Sequence, residues 1–209
     1  SVPGTYTLSF DGSDAAQIVG TQPHSKDWMW WSYNEDNSAT RLTAAFDLRE
    51  LTTATLAFSA WWSTEPDNDW LQVLVSDNNG QTWVIVGGDH AADHGGKAPG
   101  PYYSGQSMTW IDEQVNLNAY AGKQVLIRFE YLTDGSDTRT GVVLDDLGIL
   151  ELGSLDDTES PVSLWQPDGF LRVPDTVVQN WSVTVIERGT DGHSTVSPVM
   201  LDAFNTGRA

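Results

Sequence analysis

The sequence predicts an all-β protein: an antiparallel β-sandwich, a jelly roll, with extra C-terminal strands. Three observations predict it. Apolar residues recur with a period of two in many short runs. Asn, Asp, Gly and Pro separate those runs. No stretch carries the apolar period of a long helix. Strands with one apolar face bury it by stacking two sheets, and a jelly roll is one way to do so.

The elements follow in order. TYTLSF (5–10) alternates and ends in Asp11-Gly12, a strand entering a turn. KDWMWWSY (26–33) concentrates Trp28, Trp30, Trp31 and Tyr33. Large aromatics dominate β-cores, so core packing is one reading and an aromatic platform for sugar rings the other. Residues 39–46 form a strand. Residues 56–83 organise the chain: Leu56, Phe58, Ala60 and Trp62 share one face, then Leu71, Val73 and Val75 another. Between them lies the acidic loop Glu65-Pro66-Asp67-Asn68-Asp69, and after them a turn ending in Asn79-Gly80. Strands follow at 81–86 and 108–117, separated by a long Gly-, Pro- and His-rich loop over 87–106. A structureless loop of that length is often functional or held by an ion. Val125, Ile127, Phe129 and Tyr131 define the cleanest strand, 124–132. GVVLDDLGIL (141–150) is an almost continuous apolar strand broken by Asp145-Asp146. Composition then turns acidic and Pro-containing over 151–161, and short strands are expected at 170–173, 180–187 and 195–201. These features place one sandwich over 1–152, with 153–209 a linker and a small strand extension or second β module.

Bulk composition narrows the function. The chain has 209 residues, 39% hydrophobic, with 10 Trp, enough for a real core. Net charge is −19, which repels phosphate backbones and anionic lipid, so nucleic acid is a poor partner. No run of apolar residues is long enough to insert in a membrane as a helix. The first residues carry no signal-peptide features; a leader absent or already removed, or a fragment of a longer protein, fits. There is no cysteine, hence no disulfide, thiolate zinc site or cysteine nucleophile.

Asp145 and Asp146 are the sharpest chemical feature. Adjacent strand residues point to opposite faces, so one of these carboxylates turns inward. A buried carboxylate is costly unless paired, protonated or ligated. Arg128 offers pairing, but it lies in the polar register of its own strand. Calcium, with six to eight oxygen ligands, is the economical answer, and Asp11, Asp27, Glu65 and Asp69 are candidate co-ligands. The alternative is that one Asp faces solvent while the other accepts backbone N–H bonds. His90 and His94 have HxxxH spacing, but Gly and Pro make their segment a poor helix for zinc. Glu65 with Glu113 or Glu130 could be drawn as a glycosidase pair, although among 29 acids such pairs arise by chance. GxSxG, HExxH, GxGxxG and the P-loop are all absent.

Four segments read together carry a family resemblance: DWMWWS with NSATRLTAAFDL, LAFSAWWSTEPDNDWLQVLVSDNNGQTW, PGPYYSGQSMTWIDEQVNLNAYAGKQVLIRFEYLTDG, and GVVLDDLGIL. Over about residues 28–150 the chain resembles the jelly-roll domain that follows the catalytic domain in the immune inhibitor A family of secreted bacterial metalloproteases. It is more distantly similar to MAM domains and to calcium-containing carbohydrate-binding jelly rolls. The resemblance implies a secreted or cell-surface β-sandwich with calcium near a sheet edge, at Asp145-Asp146, Asp11 and the loop 65–69. It imports no peptidase, because the HExxH centre is not in this chain.

The expected function is therefore non-catalytic: a calcium-stabilised module that binds or positions a protein or glycan surface, or assembles with itself. One alternative is a carbohydrate-binding module using Trp28, Trp30, Trp31, Trp61 or Trp62 as a stacking platform. Another is a structural subunit joined through β-edges or strand exchange, using segments 5–10 and 195–201.

Overall fold

A computed structural model describes residues 7–92, 98–153 and 155–208. The chain divides into two compact units, Val19–Asp175, and Ser1–Ile18 together with Thr176–Ala209. In chain order the strands are β1 (Ser9–Asp11), β2 (Ala15–Gln17), β3 (Met29–Trp31), β4 (Ala39–Asp47), β5 (Thr55–Ser63) and β6 (Trp70–Ser76). They continue with β7 (Val84–Val86), β8 (Ile111–Asn116), β9 (Gln124–Leu132), β10 (Gly141–Ile149), β11 (Gln166–Asp168) and β12 (Leu171–Val173). The last four are β13 (Thr176–Val178), β14 (Val183–Arg188), β15 (Ser194–Val199) and β16 (Thr206–Arg208). The helical content of the described residues is two single 3-10 turns, Asn118–Tyr120 and Leu150–Leu152.

The larger unit is a β-sandwich of two antiparallel five-stranded sheets. One sheet has the order β12-β3-β10-β5-β8, the other β11-β4-β9-β6-β7. Chain-adjacent strands mostly alternate between the sheets, wrapping the chain as a jelly roll does. The predicted alternation fills the space between them. Leu42, Ala44 and Phe46 from β4 meet Leu56, Phe58, Ala60 and Trp62 from β5, with Ile127, Phe129 and Tyr131 from β9. The rings of Phe58 and Phe129 pack edge to face across the sheets, centroids 4.9 Å apart. Aromatic contacts of this kind add about 0.5–1.5 kcal/mol beyond the area they bury. The hairpin between β6 and β7 turns at Asn79 and Gly80, with φ of 57° and 82°. The Ser76 hydroxyl oxygen accepts the Gly80 N–H at 2.9 Å.

Two boundaries differ from expectation. The sandwich unit extends past 152, because β11 and β12 each add an edge strand to one sheet. Hydrophobic period could not find β11: its Gln166-Pro167-Asp168 is polar and exposed, and it pairs with β4 through the backbone and one ion pair, Arg41 with Asp168 at 3.4 Å. At the other end, β1 belongs to the second unit, where it pairs with β16. That unit is built of two-stranded ribbons: β1-β16, β2-β13 and β14-β15. Phe10 and Trp181 pack edge to face within it, and the Trp181 indole donates to Ser13 O at 2.9 Å.

Candidate functional site

The loop from β5 to β6 is held from several sides. Thr64 exchanges two bonds with Gly105: its N–H donates to Gly105 O at 2.8 Å, and its hydroxyl accepts the Gly105 N–H at 2.9 Å. Ser104 accepts the Asp67 N–H at 2.9 Å, and Tyr102 donates its hydroxyl proton to the Asp67 carboxylate at 2.8 Å. Arg139 donates to Thr64 O at 3.2 Å. This bracing fixes Glu65 and Asp69 in place. Asp69, almost wholly buried, accepts the backbone N–H of Asp134 at 3.0 Å.

The result is a tight acidic cluster. One carboxylate oxygen each from Glu65, Asp69 and Asp134 lies within 4.8 Å of the others. None of the described ion pairs engages any of the three. Glu65 Oε1 accepts from the Asn68 side-chain amide at 2.6 Å, but Oε2 is buried with no hydrogen-bond partner. Burial pushes the Asp69 carboxyl above its ordinary value, and the charges of Asp134 and Glu65 add to the rise. Three mutually repelling carboxylates with a buried, unpartnered oxygen fit an oxygen-ligated cation.

Asp145 is solved differently. It is fully buried, as one of the Asp145-Asp146 pair was expected to be, and its two oxygens take four donors. Ser25 N–H and Ser25 Oγ reach one oxygen at 2.9 and 3.4 Å. Asp146 N–H and Thr158 Oγ1 reach the other at 2.9 and 3.2 Å. Burial still pushes its carboxyl up to about 6, against the pull of the Ser25 N–H, with Asp146 adding to the rise. Asp146 sits at a left-handed φ of 51° where the β10–β5 register shifts. Its carboxylate meets His24 Nδ1 at 2.7 Å, and His24 Nε2 lies 3.4 Å from Asp112.

The stretch over residues 13–174 matches the model of the family described as immune inhibitor A-like, MAM domain. The chain belongs to that family. Among curated relatives it is 34% identical over 132 residues to the Vibrio cholerae pre-pro-metalloprotease PrtV, covering 63% of this chain and 14% of the relative. It is 29% identical over 173 residues to immune inhibitor A of Bacillus thuringiensis, covering 81% of this chain and 24% of the relative. Bacillopeptidase F of Bacillus subtilis is 27% identical over 92 residues, 44% of this chain and 5% of the relative. The chain thus spans a small fraction of the relatives it matches.

In this MAM domain five of the six acids expected to act together, Asp27, Glu65, Asp69, Asp145 and Asp146, fall into distinct settings. Glu65 and Asp69 join Asp134, a residue of the polar loop after β9 that carries no local signal of its own. Asp145 and Asp146 are engaged by Ser25, Thr158 and His24. Asp27 takes part through its backbone N–H, donated to Glu159 at 2.9 Å, with its side chain exposed. Asp11 lies in the other unit, opposite Thr206 on β16. The signal for Asp134 was strand register: Trp70 pairs with Leu132, so residues just beyond those strand ends meet.

Of the five Trp residues expected to offer a platform, three are buried. Trp30 and Trp62 are buried in the core between the sheets, and Trp31, beside Trp30 on β3 and therefore on the opposite face, is buried as well, its indole donating to Thr140 O at 2.7 Å. Trp28 carries the Arg172 guanidinium 3.9 Å above its ring. Trp61 is half-buried, with Gly20 packed near its edge. Glu113 and Glu130, the drawn partners for a glycosidase acid, are committed elsewhere. Glu113 accepts the Asp89 and His90 N–H groups, both at 2.9 Å, and Glu130 binds Arg41. His90 Nδ1 lies 3.3 Å from Glu113, and His94 falls outside the described residues.

Proposed function

We propose that this chain is a non-catalytic accessory module of a secreted or cell-surface protein. Calcium pins its loops, and its surface binds or positions a partner. The observation that carries the calcium assignment is the cluster of Glu65, Asp69 and Asp134, with no cationic partner among the described ion pairs and with Glu65 Oε2 buried and unsatisfied. Calcium suits such a set because it accepts irregular oxygen cages and completes them with water. Bound there it would tie the β5–β6 loop to the loop after β9. Membership in the MAM family and the protease names of relatives support an accessory role outside the cell. The calcium part is tested by calorimetric titration of the chelator-stripped protein. Wild type takes up calcium, and Glu65→Gln or Asp134→Asn removes the heat. Uptake unchanged in both variants contradicts the assignment.

A second reading, assembly through strand addition, draws on one observation. β14 and β15 pair only with each other among the described residues, and the directly opposed Ile186 and Val196 are exposed. An isolated two-stranded ribbon is marginal in water and gains from a third strand. Sedimentation over a wide concentration range decides it: a monomer throughout removes this reading.

A further inference from the structure

Five of the exposed large aliphatic side chains fall within residues 150–164: Leu150, Leu152, Leu155, Val162 and Leu164. Val162 is 84% exposed and Leu164 67%. Singly exposed apolar residues are ordinary, but a cluster around a concavity marks an interaction site. Three of the five, Leu152, Leu155 and Leu164, line such a concavity. A crevice of about 150 Å³ is lined by Phe46, Leu147, Leu152, Leu155, Leu164 and Trp165. Its form is built in. Ser163 bonds the Asp156 carboxylate and accepts the Trp165 N–H at 2.9 Å, so the segment doubles back while Trp165 is buried beneath it.

Phe46 also lines a wider, open concavity of about 530 Å³, with Ala45, Leu126, Asp47, Asp77 and Gln124. Phe46 is thus common to the two linings. The titratable groups lining them are all acidic: Asp156 in the first, Asp47 and Asp77 in the second. Asp47 holds Arg49 and Asp77 holds Lys123, but both pairs are solvent-exposed. Exposed pairs contribute little and exchange partners cheaply.

We infer that these neighbouring depressions together dock a basic polypeptide segment of a separate partner, an aliphatic side chain filling the leucine crevice and a nearby lysine or arginine reaching Asp47 and Asp77. Charge complementarity selects that occupant. A second copy of this chain, itself at −19, would bring repulsion to the same rim. The inference rests on the reading of the chain as a binding module and names the chemistry of its partner.

The test uses the full chain, with calcium present, and a synthetic peptide of alternating leucine and lysine. Its controls are the same peptide with serine for leucine, and with glutamate for lysine. Saturable binding by calorimetry is expected for the first peptide only. Leu164→Ser and Leu152→Ser, both at exposed positions and neutral in charge, are expected to weaken it at least tenfold without moving the melting midpoint. No saturable binding overturns the inference. So does equal binding by the serine peptide or by both variants, which would mean nonspecific attraction to an acidic protein. Self-association abolished by Leu164→Ser would assign the depressions to a second copy and also overturn it. Loss of peptide binding with the calcium response intact leaves the calcium assignment standing, so the two failures are distinguishable.

Discussion

The backbone N–H of Asp134 donates to the buried carboxylate of Asp69 at 3.0 Å, while the Asp134 side chain adds a further negative charge to the same cluster. Backbone and side chain of one residue therefore act in opposite directions. The N–H favours ionised Asp69 and the carboxylate disfavours it. Asp134→Asn keeps the bond and removes the repulsion. In the presence of chelator this variant is expected to be more stable than wild type, by about 0.5–1 kcal/mol of relieved like-charge contact. Urea unfolding in chelator measures it.

Asp145 joins three segments through its four donors: the Ser25 turn, β10 itself and the Thr158 loop. Asp145→Ala orphans two backbone N–H groups and a hydroxyl in the interior. The expected loss is about 3–5 kcal/mol. Asp145→Asn keeps one acceptor oxygen and is expected to cost about 1–2 kcal/mol. Chemical denaturation of the two variants beside wild type checks the order.

The same residue sets a pH dependence. Its folded carboxyl is raised to about 6 from 3.8, so between those values the folded state holds more proton than the unfolded one. Stability from this group therefore rises as pH falls through that window, by ~3 kcal/mol in all. Asp47, Asp77, Asp157 and Asp202 have lowered values and work the other way, but only as pH falls below the ordinary carboxylate range. The difference between wild-type and Asp145→Asn stability curves isolates the effect. Wild type should gain on the variant from pH 7 toward pH 4. A flat difference contradicts the assignment.

Glu113 is a loop anchor. Its buried carboxylate accepts the Asp89 and His90 N–H groups, and a side chain at Gly88 would collide with it, since a Cβ there would lie 2.5 Å from the Glu113 carboxyl. Glu113→Ala is expected to cost about 2–3 kcal/mol. It should also speed amide hydrogen exchange at Asp89 and His90 while leaving the β4–β9 ladder protected. Exchange measured by mass spectrometry separates this local loosening from global unfolding.

Much of the fold was legible because the sandwich obeys a simple period. Residues 124–132 alternate cleanly, and β9 spans that range. Leu56, Phe58, Ala60 and Trp62 are all buried, as a one-faced strand requires. The edge strand β11 was not legible, since Pro167 and its polar neighbours bury nothing. The site was half legible. The acidic loop drew attention to Glu65 and Asp69, but Asp134 became their neighbour only through the register of β6 on β9. Asp145 and Asp146 read as metal ligands because a buried carboxylate needs compensation. The compensation came from Ser25 and Thr158, residues 120 and 13 positions away in the chain. Hydrogen-bond donors so distant leave no local pattern. The Trp run around β3 carried too little information to separate core from platform, since both uses call for the same rings.

Calcium binding by Glu65, Asp69 and Asp134 is decided by thermal unfolding in calcium and in chelator for wild type, Glu65→Gln, Asp134→Asn and Asp145→Asn. A ligand that binds only the folded state at 100 times its dissociation constant stabilises by about 2.7 kcal/mol, a shift of several degrees. Wild type and Asp145→Asn should both gain that shift in calcium. Glu65→Gln and Asp134→Asn should lose it, while melting at or above wild type in chelator. A calcium response that survives in both of those variants and vanishes in Asp145→Asn would contradict the account and move the ion to the end of β10.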